Sequence, residues 1–130
     1  YTVQYFERNR FEYHPENAGT DHEVLLGRLG AQLSAEAYPT CSAACSTDTA
    51  RYFPETGHTL TAPFAAYWEA NGGLAAFGYP ISEPFEEAGR LVQYFERNRF
   101  EYHPELPAEH QVLLGRLGES AARALGYLAP

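Results

Sequence analysis

At 130 residues and a formal net charge of −8, the chain is one domain or a few small units sharing a core. It lacks the basic footprint that nucleic acid demands, its nine basic residues are all Arg, and the acidic surplus disfavours adhesion to anionic lipid. No run of about 18 apolar residues exists, which excludes membrane insertion as a helix.

The chain starts at Tyr1 with no Met and no basic-plus-apolar leader, as expected of a processed mature chain or a piece of a longer one. One phrase dominates it. Residues 3–16 read VQYFERNRFEYHPE, and residues 92–105 read the same. HEVLLGRLG from His22 returns as HQVLLGRLG from His110, after a loop one residue shorter. Internal copies of this length mark a repeat protein.

Val3–Glu7 and Arg10–His14 are strand-like runs on either side of Arg8-Asn9. The spacing predicts a two-residue hairpin turn, with Glu7 opposite Arg10, Phe6 opposite Phe11, Tyr5 opposite Glu12 and Gln4 opposite Tyr13. Alternation then sends Gln4, Phe6, Phe11 and Tyr13 to the core, and Tyr5, Glu7, Arg10 and Glu12 outward. The identical copy sends Phe95, Phe100 and Tyr102 to the core. Pro15 and Pro104 end the second strands, since proline cannot extend a ladder. After a polar loop, Leu25, Leu26, Leu29 and Leu33 fit a helical stripe. This predicts a short strand or turn at Val24 and a helix to about Ala37.

Residues 39–50 form a linker holding Cys41 and Cys45. Two cysteines cannot complete a four-ligand zinc site alone, and their spacing predicts a local disulfide of an oxidising compartment. A divergent copy follows. Arg51–His58 aligns with the second strand and its Pro-Glu, and Thr59–Asn71 with the helical part. Phe64, Tyr67 and Trp68 give that helix an apolar face, and Gly72-Gly73 stops it. Leu74–Pro84 leads to the second full hairpin, and the chain ends in a helix, Glu119–Leu125, and a tail. The units are therefore 1–38, truncated at its start, then the linker 39–50, 51–80 and 81–130. The fold class is α+β, a tandem repeat of short antiparallel β-hairpins and short helices in pseudo-symmetric units.

Phe77-Gly78-Tyr79-Pro80-Ile81-Ser82-Glu83 resembles the signature of the LGFP repeat, a Gly-aromatic-Pro-x-Ser/Thr-Asp/Glu phrase. In that family an aromatic hairpin, a Pro, a Gly-His pair and a Trp-bearing helix accompany it. Tyr94–Pro104, Gly57-His58 and Trp68 match these parts. The hairpin departs from the family in turning on Arg97-Asn98 and not Gly-Gly, and only one complete Gly-Tyr-Pro phrase is present. The resemblance implies a secreted bacterial cell-surface protein of the kind that holds enzymes to the envelope, and it supplies no catalytic residue.

The residues themselves point away from catalysis. His14, His22 and Glu12, with His103, His110 and Glu101, offer nitrogen and carboxylate ligands, but not at the spacing of a two-His helix motif. His22, His58 and His110 are expected to bond a loop or cap a helix in each unit. Glu7, Arg8, Arg10 and Glu12 read as cross-strand ion pairs. No serine lies in a G-x-S-x-G context, Cys45 has no general-base partner, and no glycine loop cradles phosphate. No catalytic residue, metal or cofactor is expected.

The aromatics are the better lead. Tyr5, Tyr67, Trp68, Tyr79 and Tyr94 are candidates to stack on a cell-wall polymer or other glycan. A second reading is self-association. The last unit has a preface, Gly78–Leu91, that the first lacks, which predicts an unpaired edge at the start. Val3, Tyr5, Glu7, Arg10 and Glu12 would then join a neighbouring copy, and head-to-tail contacts that do not close give a homo-polymer. The expectation is an extracellular or cell-surface, non-catalytic module.

Overall fold

The structure is a computed structural model that describes residues 1–33, 38–41, 45, 47 and 49–126. Among these the fold is mixed α+β, with small antiparallel sheets and short helices. In chain order the elements are β1 (Thr2–Tyr5), β2 (Arg10–Tyr13), β3 (Val24–Leu26), α1 (Leu29–Leu33), β4 (Ala50–Phe53) and β5 (His58–Thr61). Then come α2 (Ala65–Ala70), α3 (Gly73–Phe77), β6 (Phe85–Glu87), β7 (Arg90–Tyr94), β8 (Arg99–Tyr102), β9 (Val112–Leu114) and α4 (Leu117–Ala124). The sheets run β1-β2-β3, β4-β5 and β6-β7-β8-β9. No helix among the described residues is long and apolar enough to cross a membrane.

The doubled phrase makes a hairpin each time, with a register two positions from that expected. Tyr5 faces Arg10 and Gln4 faces Phe11, and the tip is a four-residue loop closed by Phe6 N donating to Asn9 O at 2.8 Å. Phe95 N to Asn98 O closes the other tip at the same distance. Two-residue hairpin turns favour positive φ, which Arg resists, so the longer loop wins. A slip of two preserves side-chain parity, and the assignment of faces survives it.

Leu25 and Leu26 are strand, not helix. They pair with Glu12 and Phe11 in a third strand, as Leu113 and Leu114 pair with Glu101 and Phe100. The helix begins only at Leu29, and residues 34–37 lie outside those described. Thr59–Thr61 is likewise strand, held against β4, so the helix bearing Trp68 is one short piece. Cys41 and Cys45 lie at disulfide distance, with Cα atoms 6.2 Å apart.

The main core lies under the C-terminal sheet. Phe95 and Phe100 are fully buried there with Phe53, Leu60, Phe64, Trp68 and Phe77. Phe100 meets Phe77 and Tyr67 edge-on, at centroid distances of 4.8 and 5.2 Å. The Trp68 indole donates to Gly78 O at 3.1 Å, so its polar atom is satisfied inside. Burying one such ring contributes about 1.5–3 kcal/mol.

A second cluster joins α1 to α4 through Leu29, Leu117 and Ala121. Here each helix rests on the other half's hairpin tip. Ala31 N donates to Glu96 O at 3.0 Å, and Glu119 N donates to Glu7 O at 2.9 Å. These bonds satisfy first-turn amides that no helix can satisfy internally. Glycine makes the approach possible. A Cβ on Gly30 would sit 1.7 Å from Phe95 O, and one on Gly118 would sit 1.7 Å from Phe6 O. Arg97 Nε donates to Leu26 O and Arg8 Nε to Leu114 O, each at 3.1 Å. Arg28 pairs with Glu96, and Arg116 with Glu7 at 2.6 Å.

Candidate functional site

The same fourteen residues occupy two different environments. In the C-terminal hairpin, β6 adds to the free edge of β7, and Pro80 forms a bridge with Phe95. Ile81 N donates to Tyr94 O at 2.9 Å, and Ser82 Oγ accepts from Tyr94 N at 2.9 Å. Glu96 N donates to Tyr79 O, and Arg97 N to Phe77 O. Gln93 is fully buried, its side-chain amide donating at 2.8 Å to both Thr59 O and Ser82 O. Residues 50–87 thus form a cover over one face and one edge of this hairpin.

The N-terminal hairpin has no such cover among the described residues. β1 is an edge strand, with β2 on one side only. Phe6 is 43% exposed where Phe95 is 0%, Phe11 is 40% exposed where Phe100 is 0%, and Val3 is 42% exposed where Val92 is 3%. Tyr13 and Val24 are exposed beside them. Parity places Phe6, Phe11 and Tyr13 on the apolar side as expected, but among the described residues no second layer packs on it, and they do not form a core. A groove of about 730 Å³ runs between β1 and α4, bounded by Val3, Tyr5, Glu7, Arg116 and Glu119. A recess of about 370 Å³ opens on the sheet face over Gln4, Phe11, Tyr13 and Val24.

The opposite face of each hairpin carries a chain of charges. Arg10 pairs with Glu12 at 2.8 Å, and the His14 ring lies between Glu12 at 3.2 Å and Glu16 at 2.9 Å. The Tyr1 hydroxyl donates to Glu16 at 3.0 Å. The hydrogen bond to Glu16 holds the His14 pKa above its ordinary value, with burial opposing and Glu12 assisting. The same His14 bond holds Glu16 below the usual carboxylate value. At Glu12 burial alone would raise the pKa, but hydrogen bonds from His14 and Arg10 outweigh it and keep the group low. Arg99–Glu101, at 2.7 Å, and His103 repeat the pattern. Carboxylates held ionised in this way suit pairing better than proton donation.

The residues singled out from the sequence are dispersed. Trp68 and Tyr94 are buried, and Tyr67 and Tyr79 are half-buried against the main core. The Tyr94 hydroxyl donates to Glu87 at 2.9 Å. Tyr5 is half-buried against the α1–α4 cluster. Val3, Tyr5 and Glu7 line the groove beside β1, whereas Arg10 and Glu12 pair with each other on β2. The three aligned histidines are not equivalent. His58 is buried, with Nδ1 2.8 Å from Glu83, while His22 and His110 are exposed. Phe6, Phe11, Tyr13 and Val24 were not singled out as surface residues. Alternation gave no signal for them, because the identical Phe95 and Phe100 are fully buried in the other hairpin.

A comparison with protein-family models, with curated proteins and with solved structures gave no match.

Proposed function

We propose that this chain is a non-catalytic binding module of a secreted, LGFP-like cell-surface repeat protein, and that its working surface is the open sheet of the N-terminal hairpin. Two hairpin–strand–helix units face each other about a pseudo-twofold axis near Asn9 and Asn98, in a tandem arrangement with one cover between them. The reciprocal contacts of the hairpin tips with α1 and α4 support that arrangement, as does the bond from Asn98 Nδ2 to Arg8 O at 3.2 Å. One observation carries the functional reading. Val3, Gln4, Phe6 and Phe11 are exposed, whereas their identical counterparts Val92, Gln93, Phe95 and Phe100 are buried. An exposed apolar patch beside an open strand edge is a binding surface.

The module joins others of its kind through this sheet, as a structural subunit of an extracellular assembly. A second reading, binding of an envelope polysaccharide, is favoured by the exposed rings of Tyr1, Phe6, Phe11 and Tyr13 on one hairpin. One experiment addresses both. Sedimentation velocity over a concentration series is run beside co-sedimentation with insoluble wall polymer, for the wild type and Phe11→Ser. Association or pelleting that the variant loses supports the open sheet. A wild type that stays monomeric and pellets with nothing, or a variant that behaves like it, removes the proposal.

A further inference from the structure

Resting on that reading, we propose that the occupant of the open sheet is a second cover segment with the pattern of residues 50–87, delivered by an adjoining repeat, and that Gln4 reads it. The molecule already contains the receptor with its ligand in place. Every receptor residue from Val92 to Glu105 has an identical counterpart from Val3 to Glu16. The ligand is a polypeptide segment. It carries an aromatic-Pro-x-Ser stretch that bridges the hairpin edge, followed by a short antiparallel strand. Behind it, Phe64 and Phe77 press onto the apolar face.

The vacant places match this ligand. Tyr79–Ser82 lies along β7, and the groove beside β1 runs along the equivalent residues Val3–Glu7. Phe77 O and Tyr79 O receive the Arg97 and Glu96 amides, and the equivalent Arg8 and Glu7 amides have no partner among the described residues. The recess over Gln4 and Phe11 lies where Phe64 would sit. Main-chain pairing supplies affinity in such strand addition, and side chains supply selectivity. Gln93 shows which side chain selects. Its amide bonds two carbonyls of the cover, Thr59 O and Ser82 O, in a fully buried setting. Gln4 is exposed and available for the same task. It is a specificity-determining residue, not a stabilising one.

The register allows a direct test. Tyr1 holds the position of Arg90, so a second copy of Ala50–Gly89 can be joined straight to Tyr1 of the full chain. Hydrogen exchange of residues 2–8 is then compared with and without the added segment. The expected result is slowing by about tenfold or more, the change produced by about 1.4 kcal/mol of local stability, together with loss of the concentration-dependent association. Gln4→Leu should reverse the protection in the extended chain and leave the thermal midpoint of the original chain unchanged.

Unchanged exchange, or protection indifferent to Gln4→Leu, overturns the proposal. If exchange is unchanged while Phe11→Ser still abolishes association, the open sheet remains the working surface and only this occupant fails. Should the extended chain not fold, the peptide of residues 77–89 is titrated into the original chain. Saturable binding weakened about tenfold by Gln4→Leu supports the proposal, and no binding overturns it.

Discussion

Phe11 and Phe100 are the same residue in the same fourteen-residue setting, and truncating each measures what the cover contributes. Phe100 is fully buried beneath Phe64, Phe77 and Tyr67, so Phe100→Ala loses the transfer free energy and leaves a cavity. That combination costs about 3–5 kcal/mol. Phe11 is 40% exposed, and its main ring neighbour is Phe6 at 4.4 Å. Water fills the space its removal leaves, so Phe11→Ala forfeits only part of the transfer term, about 1–2 kcal/mol. The expected gap is about 2–3 kcal/mol. Urea unfolding of both variants at low protein concentration reads it, with the slope of the transition as a check on two-state behaviour. A domain of this size shifts its thermal midpoint by about 3–5 °C per kcal/mol, so the gap is visible by calorimetry too. Equal losses from the two variants would refute the reasoning, because they would mean that both faces are equally covered.

Three further outcomes follow from the geometry. Gly118→Ala forces a methyl group against Phe6 O, and the helix must move off the hairpin tip; we expect a loss at or above the usual 1–3 kcal/mol of overpacking, read by thermal unfolding. Ser82→Ala removes a fully buried acceptor from Tyr94 N and should cost about 1–3 kcal/mol in urea unfolding, with no counterpart effect at the N-terminal hairpin. The third outcome concerns pH. His14 has a raised pKa in the folded chain, so its contribution is complete below its ordinary 6.5 and is lost as pH rises through the folded value. Glu16 has a lowered pKa, so its contribution is complete above 4.5 and is lost as pH falls through the folded value. The stability difference between wild type and His14→Gln should therefore be largest between these two values and shrink towards pH 9. A difference that grows with pH would contradict the His14 contacts.

The sequence exposed some of this and hid the rest, for physical reasons. Period-two alternation determined which side chains of each hairpin share a face, and it survived an error in the turn because a slip of two positions leaves parity intact. Val24-Leu25-Leu26 was ambiguous, since a short apolar run fits a strand or a buried helix equally well. The leucines that follow at 29 and 33 completed a false stripe. β6 was concealed by Pro84, by its three-residue length and by two successive glutamates. The exchange of helices between hairpin tips left no local trace, because its partners lie about one repeat apart and meet through backbone carbonyls. At the candidate site, nothing in the sequence pointed to the exposure of Phe6, Phe11 or Tyr13, because alternation reports which side a residue faces, not whether anything lies there. Trp68 and Tyr94 illustrate the converse. Amphipathic rings read as surface contacts, yet each satisfies its polar atom internally and sits in the core.

The identity of the two hairpins also sets a problem for the nascent chain. Until the sheets form, the cover meets two hairpins identical over Val3–Glu16 and Val92–Glu105, and for β6 the acceptors differ only in Tyr1-Thr2 against Arg90-Leu91. Chain length separates them further. β7 follows β6 across Ala88-Gly89, whereas β1 lies most of the chain away. Closing that longer loop costs about 3 kcal/mol more in entropy, enough to favour the near acceptor by about a hundredfold. Selection by proximity means that lengthening the Ala88-Gly89 turn would erode it. The chain would then divide between two covered forms, each leaving the opposite hairpin bare.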